Sequence, residues 1–337
     1  MSYMTWNNLL KVARRLAVWF GCGEGGQIVR SLDGLSWTQV ATPTTVTVTD
    51  ISFTEDGSFG LASLLNSGKA LYCVDGENWL PADIKAAAYE VASGSLSLMC
   101  HSAKALTAQV GFIGTYLGRL LKTPDGGQTW AKVGSAPVGP AYGLDALDEN
   151  TILIGGSGGI GKSTDGGASW TKPLDIGSAV IRRAKFVSAT RAVACGTNGC
   201  IWISNDAGES WTKITFPFSM NWTDISFADA DHGYVCGNYS GVPKVVRTAD
   251  GGLTWWDETF NLAAWNGVVV ADAQTVVVVG MARTGKSTDG GKTWVPTNGG
   301  PAVASPDLQI AVVIDGAAPA PAPTGATTAA SGGKKKK

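Results

Sequence analysis

Residues 287–294 read Ser-Thr-Asp-Gly-Gly-Lys-Thr-Trp, and the phrase returns along the whole chain. It recurs at 163–170, at 123–130 with Pro124 in second place, at 248–255, and at 204–211 as Ser-Asn-Asp-Ala-Gly-Glu-Ser-Trp. Two versions, 31–37 and 73–79, are one residue shorter. The aspartates are Asp33, Asp75, Asp125, Asp165, Asp206, Asp250 and Asp289, spaced by 42, 50, 40, 41, 44 and 39 residues. The phrases close on Trp37, Trp79, Trp130, Trp170, Trp211, Trp255 and Trp294. A fixed period of about forty residues is a repeat architecture, and it sets the unit in which every other motif is read.

Each phrase suits a turn between antiparallel strands. Ser or Thr and Asp offer side-chain acceptors to nearby backbone N–H groups. Glycine accepts positive φ at low steric cost. Trp opens the next strand with a large apolar body. In the sixth repeat, strand-like runs lie at 222–227, 233–237 and 243–248, with 254–257 after the turn. Four short strands per repeat is the pattern of a propeller blade. The expected fold is all-β: a single seven-bladed β-propeller with four-stranded antiparallel blades in residues 1–315. The expected blades span about 3–41, 48–83, 92–134, 140–175, 180–215, 221–259 and 264–298. The strand-like run 308–314 would be a closing strand. Residues 316–337 are rich in Ala, Pro and Thr and end in Lys334–Lys337, a composition expected to form a flexible tail with a basic tip.

The pattern S/T-x-D-x-G-x-T/S-W resembles the Asp-box, or BNR repeat. Over roughly residues 3–298 the chain is similar to Asp-box propellers: sialidases, xyloglucan-type glycoside hydrolases, sortilin-like receptors, and the photosystem II assembly factor with its bacterial and phage relatives. The resemblance implies that the boxes are structural and lie on the rim, away from the ligand face. A sialidase would need an arginine triad and a Phe-Arg-Ile-Pro segment, and the latter is absent. The xyloglucan hydrolases pair two rings with opposing carboxylates across a cleft, and here there is one ring. Asp50, Asp145 and Asp224 fall on inner strands, but nothing marks one as an acid. Only His101 and His232 are present, which argues against a His-based triad.

Composition narrows the remaining classes. The formal net charge is −1, and setting aside the lysines 334–337 makes it −5, so a nucleic-acid-binding face is not implied. The first apolar run, 16–20, is short and is followed by a glycine turn, so it reads as a strand rather than an export signal. No stretch approaches a membrane span. Cys22, Cys195 and Cys236 each end a second strand before Gly, which reads as a small buried residue. Cys195 and Cys200 flank one hairpin and could pair across it. No metal or cofactor is expected. Asp229 and Asp231 hint at a calcium loop but lack its remaining ligands, so they read as a hairpin turn. Residues 156–163 and 280–287 both match the phosphate-loop pattern G-x-x-x-x-G-K-S. That loop needs a following helix, whereas here each Ser opens an Asp-box, so both are read as hairpins.

On the expected ligand face lie Glu24, Tyr116, Asn198, Tyr239 and Arg283, with Phe218 between the fifth and sixth repeats. First strands open on an aromatic at Trp6, Tyr142, Trp222 and Trp265. These seven aromatics (Trp6, Tyr116, Tyr142, Phe218, Trp222, Tyr239, Trp265) are the candidate ligand face; alternatively the strand-opening ones plug gaps between blades. The resulting expectation is a non-catalytic binding protein, first a virion-associated structural or attachment component, in a virion or the cytoplasm. The runner-up is a bacterial assembly factor or lectin-like binder, and the third a glycosidase. Expected partners are proteins of a larger assembly or a cell-surface glycan, with Lys334–Lys337 touching an acidic surface.

Overall fold

The computed structural model describes residues 9–15, 18–84, 99–215, 220–239, 242–258, 265–280 and 283–298. Trp6, Phe218, the expected closing strand 308–314 and the tail 316–337 lie outside the described residues, and of Tyr239 the backbone alone is described.

The strands run antiparallel in consecutive order. The first blade is β1 (Leu9–Arg15), β2 (Val18–Gly23), β3 (Ile28–Ser31) and β4 (Thr38–Val40). The second is β5 (Val48–Phe53), β6 (Gly60–Leu64), β7 (Lys69–Cys73) and β8 (Leu80–Asp83). The third is β9 (Cys100–Ala105), β10 (Gly111–Thr115), β11 (Arg119–Thr123) and β12 (Ala131–Ser135). The fourth has six strands: β13 (Gly143–Ala146), β14 (Ile152–Ser163), β15 (Thr171–Phe186), β16 (Ala192–Gly196), β17 (Cys200–Ser204) and β18 (Thr212–Thr215). The fifth is β19 (Asn221–Phe227), β20 (Gly233–Tyr239), β21 (Val242–Thr248) and β22 (Trp256–Asp257). The sixth is β23 (Trp265–Val270), β24 (Val276–Gly280), β25 (Arg283–Ser287) and β26 (Val295–Asn298).

Among the described residues, the expected seven four-stranded blades are therefore corrected to six, five of four strands and one of six. Two repeats, with boxes at 163–170 and 204–211, share the six-stranded blade. The cause is β15, which runs without interruption from one repeat into the next. Asp175 pairs with Gly159 and Val180 with Ser157 on β14. From Ile181 onward the strand pairs with β16 instead. Val180 is the shared rung: its carbonyl accepts from Thr197 N at 2.9 Å and its N–H donates to Thr197 Oγ1 at 2.9 Å. Sequence periodicity counts turns, and it cannot see that the connection between two repeats is itself hydrogen-bonded on both sides.

The boxes are small hydrogen-bonded knots. Ser163 Oγ accepts from Gly167 N at 2.8 Å and donates to Asp165. Asp165 also accepts from Ser169 N and Ser169 Oγ, and Trp170 Nε1 donates to Gly167 O at 2.9 Å. The Ser169 hydroxyl is the largest of the influences that hold the Asp165 carboxyl down at about 2. The same bonds form around Asp125, Asp206 and Asp250. The Ser and Asp bonds recur at Asp289. In the short boxes Asp33 and Asp75 instead accept from residues two and three ahead. There the buried Trp37 and Trp79 indole N–H groups have no acceptor among the described residues. Cys73 takes the Ser place, its Sγ accepting from Gly76 N at 3.0 Å.

Blade is tied to blade at two levels. Apolar clusters fill the gaps, as where Phe20 of the first blade stacks on Phe53 of the second at 4.7 Å. On the box side, third-strand cations reach the next repeat: Arg30 to Glu77, Lys122 to Glu149 and Lys162 to Glu209. Lys286 Nζ donates to Asp33 O at 2.6 Å and joins the sixth blade to the first. β1 also packs against β23 and β24. The lysines of the two phosphate-loop matches, Lys162 and Lys286, are thus inter-repeat ties, and each lies within a strand.

Candidate functional site

Inner strands other than β13 carry one extra residue near their starts, a β-bulge that re-aims the side chains around it. Pairing skips Thr49 on β5, His101 on β9, Arg182 on β15, Thr223 on β19 and Asn266 on β23. Glycine makes room for two of these bulges. A Cβ on Gly196 would sit 1.9 Å from Val180 O, and one on Gly237 2.3 Å from Asn221 O. This explains the Cys195-Gly196 and Cys236-Gly237 pairs; all six cysteines are free, so Cys195 and Cys200 are not bridged.

The residue after each bulge turns inward. Asp50, Arg183 and Asp224 occupy this place and are fully buried. Arg183 Nη1 lies 3.5 Å from Asp50 and Nε 3.2 Å from Asp224, so one guanidinium bridges inner strands of three different blades. Lys185 Nζ stands 4.0 Å from Asp224, and Lys104 Nζ 2.7 Å from Asp145. Burial raises the Asp50 and Asp224 carboxyls and lowers Arg183 and Lys185, while attraction between the opposite charges works the other way.

The carboxylates are also committed to backbone. Asp50 accepts from Ile51 N at 2.7 Å and from Ala103 N of the next inner strand at 2.9 Å. Asp224 does the same with Ile225 N and Val268 N, and Asp145 with Ala146 N and Phe186 N. The repeated pentapeptide Thr-Asp-Ile-Ser-Phe at 49–53 and 223–227 is a latch of three teeth. Thr49 donates to Cys100 O and Thr223 to Trp265 O, while Ser52 and Ser226 accept from Ala105 N and Val270 N. These aspartates hold the ring, and no proton-donating carboxyl is left exposed among them.

At two of the bulges, His101 and Arg182, the side chain stands beside aromatics. His101 lies 5.0 Å from the Tyr142 ring and 5.9 Å from Tyr116. Arg182 stacks over Tyr142 with its guanidinium carbon 5.0 Å from the ring centre, a cation–π contact. Backbone bonds fix the group: Tyr116 N donates to Met99 O, Ala141 N to Thr115 O, and Ser102 Oγ to Ala141 O at 2.7 Å. His101 is held down at about 4, first by burial and then by the Arg182 charge, and its buried Nε2 has no partner among the described residues. All four side chains are partly exposed.

Of the aromatics expected on the ligand face, Tyr116 and Tyr142 are brought together here. Trp222 and Trp265 are 0% and 1% exposed and belong to blade cores, which removes them from any surface. His101 and Arg182 were missed as site residues. The signal that finds them is alignment of the inner strands on the latch: each sits where Thr49 and Thr223 sit.

Among the described residues no group of His, Cys, Asp and Glu is placed to hold a metal. No helix there is long and apolar enough to cross a membrane. Asp229 accepts from Asp231 N and His232 N and its loop is a hairpin turn.

In fold the chain is similar to YCF48 bound to D1 peptide, at 16% identity and TM-score 0.64 over 83% of this chain and 91% of that chain. It is similar to YCF48 from Cyanidioschyzon merolae at 16% identity and TM-score 0.64, over 86% and 95% of the two chains. The GH74 enzyme of Niastella koreensis matches at 14% identity and TM-score 0.63, over 88% of this chain and 67% of that one. No protein of curated function matches in sequence. The family described as Photosynthesis system II assembly factor YCF48 matches residues 29–210 and 203–298. Through this match, which spans most of the ring, the chain belongs to the YCF48 family of photosystem II assembly factors.

Proposed function

We propose that the chain is a non-catalytic assembly-type factor that holds a segment of a partner protein on the face formed by His101, Tyr116, Tyr142 and Arg182. The family match favours the assembly-factor reading over the virion component that the sequence suggested first. The observation that carries the reading is the pairing of Arg182 with Tyr142 beside His101 on an otherwise acidic ring. Rigid aromatics give contact area at low entropic cost, and a partly exposed guanidinium gives directional binding of carboxylates. A related ring holds a peptide, the D1 peptide. A glycosidase reading has no support in the geometry, since Asp50, Asp145 and Asp224 are all latched to backbone.

A photo-crosslinking residue in place of Tyr142, used in the full-length chain in its native cell, tests the proposal. Discrete protein adducts that vanish with Arg182→Glu are expected. Adducts indifferent to Arg182→Glu, or capture of glycan instead of protein, would overturn it.

A further inference from the structure

β15 carries a second feature directly beside the Arg182 face. A cavity of about 240 Å³ lies between its crossover segment and the β16–β17 hairpin. Ile176, Ile181, Cys200 and Trp202 give it apolar lining, with Asp175 and Lys213 at its polar edge. That volume falls below the roughly 300–1,000 Å³ of small-molecule sites and suits one large side chain. Ile181, which lines the cavity, is the residue next to Arg182. With the two Cα atoms ~3.8 Å apart, the cavity and the Arg182 cluster are close enough for one extended segment to reach both.

Charge and hydrogen bonding narrow the occupant. Asp175 is paired with Lys172 at 3.0 Å. Lys213 is exposed, rests 5.9 Å from the Trp202 ring centre, and has no carboxylate partner among the described residues. The Trp202 indole N–H is buried and has no acceptor among the described residues. The groove thus combines an apolar slot, an unmatched cation and an unmatched donor.

We infer that this groove is the specificity pocket of the partner-binding face, taking a bulky apolar side chain of an extended partner segment whose neighbouring carboxylate reaches Lys213. The inference rests on reading this face as protein-binding. It adds a sequence requirement, apolar next to acidic, that the Arg182 cluster does not impose.

The test is selection of a displayed library of random short peptides on the full chain, followed by affinity measurement on variants. Enrichment of a large apolar residue beside Asp or Glu is expected. Lys213→Glu should weaken those peptides by up to about five-fold, the range of an exposed ion pair, and turn the selection toward Lys or Arg neighbours. Trp202→Ala should abolish the apolar preference. Lys213 is exposed on β18, so its variant tests the idea even where Trp202→Ala unfolds. Peptides that lack the pairing, or that bind Lys213→Glu as well as the parent, overturn the inference. Binding lost with Arg182→Glu but unchanged by Lys213→Glu removes the groove and leaves the partner-binding face. Binding indifferent to both removes both.

Discussion

Arg183→Met puts the central bridge to the test. The guanidinium sits between Asp50 and Asp224, each 0% exposed. Methionine keeps most of the bulk and removes the charge. Lys185 still lies 4.0 Å from Asp224, so the loss is closer to one broken buried pair than to two. Breaking one such pair costs roughly 3–5 kcal/mol, because the remaining charge is stranded. At ~2.1 cal/mol/K of unfolding entropy per residue, each kcal/mol moves Tm by roughly 1.5 °C in a chain of this size, so a fall of about 4–7 °C is expected. The sign with pH is specific. Without the arginine, burial drives the carboxyls up. The folded variant then holds protons that the unfolded chain releases, so it loses stability as pH rises above the ordinary carboxylate range. The penalty should be larger near about pH 8 than near about pH 5. Adding Asp50→Asn should recover part of it, as expected for residues in one charge network. Urea unfolding followed by tryptophan fluorescence measures all three. A penalty below about 1 kcal/mol, or one flat with pH, would refute the claim that this is a stranded-charge effect.

Three further outcomes follow from the geometry. Gly196→Ala drives a Cβ to 1.9 Å from Val180 O at the shared rung, and should cost at least the ~1–3 kcal/mol typical of overpacking, read as a lower urea midpoint. His101 is held at about 4 when folded against an ordinary 6.5, so the stability of its neutral form is present above 6.5 and is lost as pH falls toward 4. That loss is about 3 kcal/mol at most. His101→Phe should flatten this part of the pH–stability curve, and a curve parallel to the parent's would count against a buried neutral imidazole. Cys73 does the work that Ser or Thr does in the other boxes, so Cys73→Ser should melt within about 1 kcal/mol of the parent. Cys73→Ala leaves Gly76 N without its acceptor and should lose about 1 kcal/mol more.

The boxes were legible because their chemistry is local. Ser163, Asp165, Gly167 and Trp170 bond to one another within one turn, so their spacing in sequence is their geometry. Blade count was not legible, because it depends on whether Val180 finds partners on both sides. The repeated Thr-Asp-Ile-Ser-Phe was visible, but its meaning was not. Asp50 reaches Ala103 and Asp224 reaches Val268, and only a closed ring brings those strands side by side. Trp222 and Trp265 stood open in the sequence between the channel mouth and the gap between blades, and their burial places them in the gap. An aromatic that opens an inner strand faces either the channel mouth or the neighbouring blade, and period-two alternation is broken by the bulge one residue later.

That bulge is where structure and binding separate. The extra residue in an inner strand points off the sheet, so its side chain is surplus to the ladder. A Thr there donates to a carbonyl of the next inner strand, as Thr49 and Thr223 do. The side chains of His101 and Arg182 stand beside Tyr142. Other ties hold the ring beside those two positions. Ser102 Oγ donates to Ala141 O, Asp145 accepts from Phe186 N, and Arg183 bridges two aspartates. The ring is therefore held by ties made by neighbours of the proposed binding residues. Arg182→Glu should for that reason change partner binding with little effect on melting, whereas Arg183→Met, one position along the same strand, should do the reverse.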